Sequence, residues 1–254
     1  MDTLIVTLAS FFAGLVDAVA GGGGLITVPA LFAAFPDTNP ATLLGTNKGS
    51  SIWGTAVASG QYARRVNVRW PVLLPALGVA LLGSLLGAWA VTLVDPGFLR
   101  LLLPLVLIAL LAYTLVKKDL GQRARENLHS QRTETLLMSA IALAIGFYDG
   151  FFGPGTGSFF VFLFVRFLGH DFLQATANAK FLNVATNLSA LGLFWAKGLV
   201  WWEVAIVMAL ANIAGSLIGT RLALKHGAGF VRKAFIVVVA ALILKTGSDA
   251  LGML

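Results

Sequence analysis

The chain repeats itself at a constant offset of 132 residues. Gly14-Leu15-Val16-Asp17 answers to Gly146-Phe147-Tyr148-Asp149, Gly21 and Gly23 answer to Gly153 and Gly155, and Lys48 answers to Lys180. Farther along, Gly60 pairs with Gly192, Trp70 with Trp202, and Gly83-Ser84-Leu85-Leu86-Gly87 with Gly215-Ser216-Leu217-Ile218-Gly219. Gly97-Phe98 and Arg100 find partners in Gly229-Phe230 and Arg232. A gap-free register that aligns charges as well as glycines constrains the fold to two copies of one architecture.

The solvent for that architecture follows from composition. Of the 254 residues, 58% are apolar and 11% charged, against about 25% charged in a soluble domain. The charges cannot cover a water-facing surface, which excludes a soluble enzyme or a nucleic-acid-binding domain despite a net charge of +7. An all-α, polytopic protein of the cytoplasmic (inner) membrane is expected, with about 20 apolar residues per span and the lipid bilayer as its main partner. There is no cysteine, hence no disulfide, thiolate metal site or cysteine nucleophile. His129, His170 and His226 show no metal-ligand spacing and read as polar loop residues. No cofactor or metal is expected. "GPGTGS" at 153–158 has no lysine before its serine, so it is not a nucleotide-binding P-loop.

Each repeat has the same parts. Residues 3–20 read as an apolar helix, Gly21–Gly24 as a break, and 25–35 as a short helix. A turn over 36–40 leads to a long helix over 41–63, then spans over 68–93 and 97–116. The second copy runs 134–153, a break at Gly153–Gly157, 158–168, 172–194, 200–224 and 228–250. The organisation is thus a first membrane repeat over 1–116, a basic cytoplasmic linker over 117–133 and a second membrane repeat over 134–254. Ala18-Val19-Ala20 resembles a signal-cleavage site, but Asp17 and the glycines after it belong to the repeat. The first helix is therefore expected to be retained.

The Gly-broken element is either discontinuous and spanning, giving four crossings per repeat and parallel copies, or re-entrant, giving three and inverted copies. Basic residues favour the cytoplasmic side. The parallel arrangement divides them nine against six. The inverted one gathers thirteen (Arg64, Arg65, Arg69, Lys117, Lys118, Arg123, Arg125, Arg132, Arg166, Arg221, Lys225, Arg232 and Lys233) against Arg100 and Lys197. Inverted repeats with both termini outside are expected.

The polar groups at membrane depth carry the functional reading. Broken backbone is tolerated there only where it is buried or lines a cavity. At about 1.5 Å per residue the short helix 25–35 is roughly 16 Å long, and Lys48 lies roughly 12 Å past the 36–40 turn. The glycine tips and the lysines therefore come to similar depth. Helix N-termini and their free N–H groups attract anions, glycine lets a ligand approach the backbone, and a buried lysine adds a full charge. Lys180, Asn183 and Asn187 share one helix face, matched in the first copy by Lys48, Ser51 and Thr55, and extended by Thr46 and Asn178. The candidate substrate-binding set is Gly21, Gly22, Gly23, Gly24, Thr46, Asn47, Lys48, Ser51, Gly153, Gly155, Thr156, Gly157, Asn178, Lys180, Asn183 and Asn187. Asp17 and Asp149 are candidates for proton coupling, or for ion pairs that neutralise the lysines. Gly83/Gly87 and Gly215/Gly219 have the G-x-x-x-G spacing of close helix packing.

Four segments in order, "FAGLVDAVAGGGGLITVPAL" (12–31), "LGTNKGSS" (44–51), "GFYDGFFGPGTGS" (146–158) and "ATANAKFLNVATNLSAL" (175–191), resemble the sulfite exporter TauE/SafE family. The resemblance implies movement of sulfur-containing anions, of the sulfite or organosulfonate class, across the cytoplasmic membrane, with the glycine runs and Lys48 and Lys180 at its signature positions. The expected function is secondary transport of such an anion by alternating access, one repeat rocking against the other. A passive anion channel and an intramembrane aspartyl protease built on Asp17 and Asp149 are the alternatives. Transport direction and assembly as a homo-oligomer stay open.

Overall fold

The computed structural model describes residues 2–93, 128 and 130–251, and every regular element among them is helical. The expected span over 97–116 and nearly all of the linker over 117–133 lie outside the described residues. The helices are α1 (Asp2–Ala20), α2 (Gly24–Ala34), α3 (Pro40–Ala63), α4 (Trp70–Val91), α5 (Gln131–Phe151), α6 (Thr156–Leu163), α7 (Phe172–Ala196) and α8 (Trp202–Leu251). Expected and observed ends agree closely where the chain supplies a cap. The Asn39 side chain accepts from Ala41 N–H with Pro40 opening α3, and Asp171 accepts from Gln174 N–H at α7. The element over 158–168 differs. It is α6 followed by a π-helical turn, Phe164–Leu168, closed by Gly169. α8 covers both of the last expected helices, broken where they were expected to part, at Gly227 (φ 71°).

Four helices are long and apolar enough to cross a membrane: α1, α4, α5 and α8 over Trp202–Ala234. The chain is a multi-pass membrane protein. α3 and α7 are as long but carry a stripe of buried polar residues, among them Lys48, Thr55, Lys180, Asn183 and Asn187. Their apolar deficit is accommodated because they lie inside the bundle, where Ala58, Ala179 and Ala190 are fully buried.

Glycine ridges bring the outer helices to backbone contact. A Cβ on Gly83 would lie 2.6 Å from the Leu143 carbonyl oxygen, and one on Gly87 2.0 Å from that of Phe147. The same contact recurs 132 residues on, with Gly215 at 2.0 Å from the Phe11 oxygen and Gly219 at 2.3 Å from that of Leu15. These contacts fix directions as well as distances. α1 and α8 advance together, and so do α4 and α5. α3 runs with α8, since Gly45 meets Leu199 and Gly54 meets Asn212 and Ser216. α4 runs with α7, as Trp70 stacks edge-on with Phe181, Ser189 donates to the Leu81 carbonyl and Lys197 donates to Thr92 Oγ1. α3 opposes α7, with Gly45 beside Phe194 and Gly49 beside Leu191. It follows that α1 and α5 run in opposite senses.

The short helices double back. Leu31, near the end of α2, shares a buried cluster with Val6 at the start of α1, and a Cβ on Gly23 would meet the Ala13 carbonyl at 2.8 Å. After α6, His170 returns to Glu134 in the first turn of α5 at 3.1 Å. The helices can be grouped into two bodies that meet along the α3–α7 contact. α8 packs on α1 and α3, while α4 packs on α5 and α7. Each body borrows its last helix from the other half of the sequence.

Candidate functional site

The two glycine breaks meet. A Cβ on Gly21 would lie 2.4 Å from the Gly157 carbonyl carbon, and the Ser158 hydroxyl donates to the Ala20 carbonyl across the junction. Each tip is also tied to its own half: Tyr62 Oη donates to the Ala18 carbonyl at 2.8 Å, and Tyr148 Oη to that of Pro154. The first residues of α2 and α6 therefore point their N-termini toward one region, and no side chain caps either helix. Free N–H groups and the positive ends of two helix dipoles converge there.

The lysines reach the tips crosswise. Lys48 Nζ lies 2.8 Å from Asp149 Oδ2, and Lys180 Nζ lies 2.7 Å from Asp17 Oδ2. Each lysine pairs with the carboxylate of the other half, and each ion pair bridges the two packing bodies. Lys180 is completely buried and Lys48 nearly so. Buried ions of this kind are stable only when paired and hydrogen-bonded. Asp17 also accepts from the Gly23 N–H at 3.4 Å, so one carboxylate links a helix N-terminus to a lysine.

A cavity of about 40 Å³ opens between these groups. Of the residues singled out in the sequence, its walls hold Gly22, Gly23, Gly24, Asn47, Lys48, Ser51, Gly153, Gly155, Thr156, Gly157, Asn183 and Asn187, together with Asp17 and Asp149. Asn183 is buried, and its Oδ1 has no hydrogen-bond partner among the described residues. Unpaired amide groups in such a place cost free energy unless a ligand or water meets them.

Four of the singled-out residues are not in the wall. Gly21 forms the contact between the tips, and Lys180 stands behind Asp17. Thr46 faces away, because its hydroxyl donates to the Thr42 carbonyl and accepts from the Trp201 N–H. Asn178 lies one turn too early on α7 and bonds His170 Nδ1 at 3.3 Å. His170 lies in the loop before α7, as the sequence reading has it, but it is not a surface residue. It is buried and bridges Asn178 to Glu134, which in turn holds Arg69. Conversely, Thr27 and Asn212 line the cavity without having been singled out. Thr27 lies one turn past the first glycine break and donates to Asn47 Oδ1. Asn212 is an amide in an otherwise apolar span, a signal that was present in the sequence.

The chain is similar to known proteins. The profile of the family described as "Sulfite exporter TauE/SafE" matches residues 6–246. The chain is 40% identical over 243 residues to "Probable membrane transporter protein ORF9" of Sinorhizobium sp, covering 95% of this chain and 91% of the relative. It is 36% identical over 249 residues to "Probable membrane transporter protein YfcA" of Escherichia coli K12, covering 98% and 90%. A "Probable membrane transporter protein" of Haemophilus influenzae is 37% identical over 232 residues, covering 90% and 88%. No solved structure matches the chain significantly. A match along nearly the full length, to the family and to relatives named as membrane transporters, places this chain in the sulfite exporter TauE/SafE family of membrane transporter proteins.

Proposed function

We propose that the chain is a secondary transporter of the cytoplasmic membrane that moves a small sulfur oxyanion, sulfite or an organosulfonate, through the cavity between the glycine tips. The observation that carries this reading is the pair of crossed lysine–aspartate bridges beside two uncapped helix N-termini. An anion entering the cavity takes the place of a carboxylate on its lysine. The displaced carboxylate, left unpaired at membrane depth, is costly as an ion and takes up a proton. Asp17 and Asp149 thereby couple each anion to a proton. Since both bridges span the two packing bodies, their exchange for an anion frees α1–α3 with α8 to move against α5–α7 with α4. The moving units are thus not the two repeats but units that have exchanged a helix.

The opposite senses of α1 and α5 and the doubling back of α2 and α6 support inverted copies with re-entrant tips, as does the thirteen-against-two division of charge. A reporter fused after Leu254 is expected to be exposed outside the cell. A cytoplasmic reporter would overturn that orientation.

The function is tested with purified protein and a panel of sulfite, thiosulfate, sulfate, taurine and sulfoacetate. At least one is expected to raise the unfolding midpoint. The same anion should then drive saturable uptake into proteoliposomes, with a matching proton flux. An ohmic anion current, or stabilisation by none of the five, would refute the reading. The protease alternative fits the geometry poorly, because each carboxylate is held by its own lysine and the two do not share a proton.

A further inference from the structure

We infer that a second cavity, at the end of the bundle where α3 finishes, is a binding site for a phosphoryl anion, with the head group of an anionic lipid as its favoured source. Gln61, Arg64 and Arg65 from the last turn of α3 and Arg221 and Lys225 from α8 line it, with Leu173 of α7 and Leu224 of α8 as an apolar wall. Its volume, about 630 Å³, is far larger than that of the central cavity. No carboxylate among the described residues pairs with any of its four cations. Gln61 Nε2 is buried and has no partner there either.

Basic residues at the cytoplasmic ends of spans are ordinary, and α3's C-terminus favours cations through its dipole. Two observations go beyond that background. These cations converge on one concavity, where like charges repel unless a counter-anion is present. Gln61 also brings to this cavity a buried Nε2 donor with no partner among the described residues. At the corresponding positions of the other end stand Ala196, Lys197, Trp89 and Leu93, and Lys197 is already bonded to Thr92. The repeat preserved the central lysines and aspartates but not this cluster, as inverted copies with a basic cytoplasmic side require. Four cations in so large a space exceed what a sulfite-sized ion can contact, whereas a phosphoryl group on a polar head satisfies several. The leucine wall suits the glycerol and acyl stem beneath it. Basic pockets between spanning helices are a recurrent lipid-head-group device.

The test uses the full chain in neutral detergent, with phosphatidylglycerol, phosphatidylcholine and sodium pyrophosphate as probes. Phosphatidylglycerol is expected to raise the unfolding midpoint where phosphatidylcholine does not, and native mass spectrometry should retain the lipid on the protein. Arg64→Gln with Arg221→Gln should weaken the apparent affinity about tenfold or more. Arg132→Gln with Lys233→Gln removes as much charge outside the cavity and should leave affinity nearly unchanged. A stronger response to pyrophosphate than to the lipid assigns the same site to a free phosphoryl anion. Equal losses in the two double variants, or no response of the wild type to either anion, overturn the proposal. The Lys180→Met variant should keep the response, and its loss there would merge this site with the central one.

Discussion

Lys180→Met is expected to remove the stabilisation by sulfur oxyanions and to reduce their transport to the background of empty vesicles. Lys180 is fully buried and its ammonium is 2.7 Å from Asp17. Removing one member of a buried pair leaves the other charge uncompensated, at a cost of about 3–5 kcal/mol. The variant should therefore unfold at a clearly lower temperature as well. That drop alone does not separate a structural bridge from an anion-binding lysine. The double variant Lys180→Met with Asp17→Asn does. With neither charge present the core is again neutral, and most of the lost stability should return. Transport should not, because both the cation that meets the anion and the carboxylate that takes the proton are gone. A double variant that still transports at the wild-type rate would remove Lys180 from the mechanism. The mirror pair, Lys48→Met with Asp149→Asn, is expected to behave in the same way, since Lys48 holds Asp149 at 2.8 Å.

Gly21→Ala should be strongly damaging, because backbone strain and a backbone collision act together there. Gly21 has φ +79°, a conformation that costs an L-residue about 1–2 kcal/mol, and its Cβ would lie 2.4 Å from the backbone of Gly157. Neither wall of that contact is a flexible side chain, so the tips would have to separate. The expected result is loss of monodisperse protein on gel filtration, or a midpoint lowered by several degrees with no response to anions. Gly60→Ala is the matched control. It is a helical glycine with nothing within 4 Å of the added carbon, and it should be stabilising by up to about 1 kcal/mol through helix propensity. Equal midpoints for the two variants would mean that the tips do not touch.

Much of this fold was legible because the repeat supplied each signal twice. The glycine breaks, the lysines and the G-x-x-x-G ridges all sit where the offset placed them, and Gly227 separates the last two helices as the pattern requires. Partner choice was not legible. Depth estimates along single helices put Lys48 level with the glycine break of its own half, and only three-dimensional packing sends it to the opposite one. Thr46 and Asn178 stand two residues before the lysines, about 200° around the helix, so spacing sets them off the cavity face, and the Trp201 N–H and His170 hold them there. The Arg69–Glu134–His170 group, buried at Glu134 and His170, was hidden for a similar reason. Its members come from three separate segments, and no periodicity links them.

The crossed bridges also bear on what a piece of this protein could be. If the chain were cut between α4 and α5, each fragment would keep one lysine and one aspartate of the set, yet neither would hold an intact pair. Each would also carry a helix whose glycine ridge fits the other fragment. The whole is arranged as a domain-swapped dimer whose two subunits have been joined end to end. Ion pairing, glycine ridges and tip contact are all shared between the halves, so assembly of the halves and completion of the cavity are one and the same event.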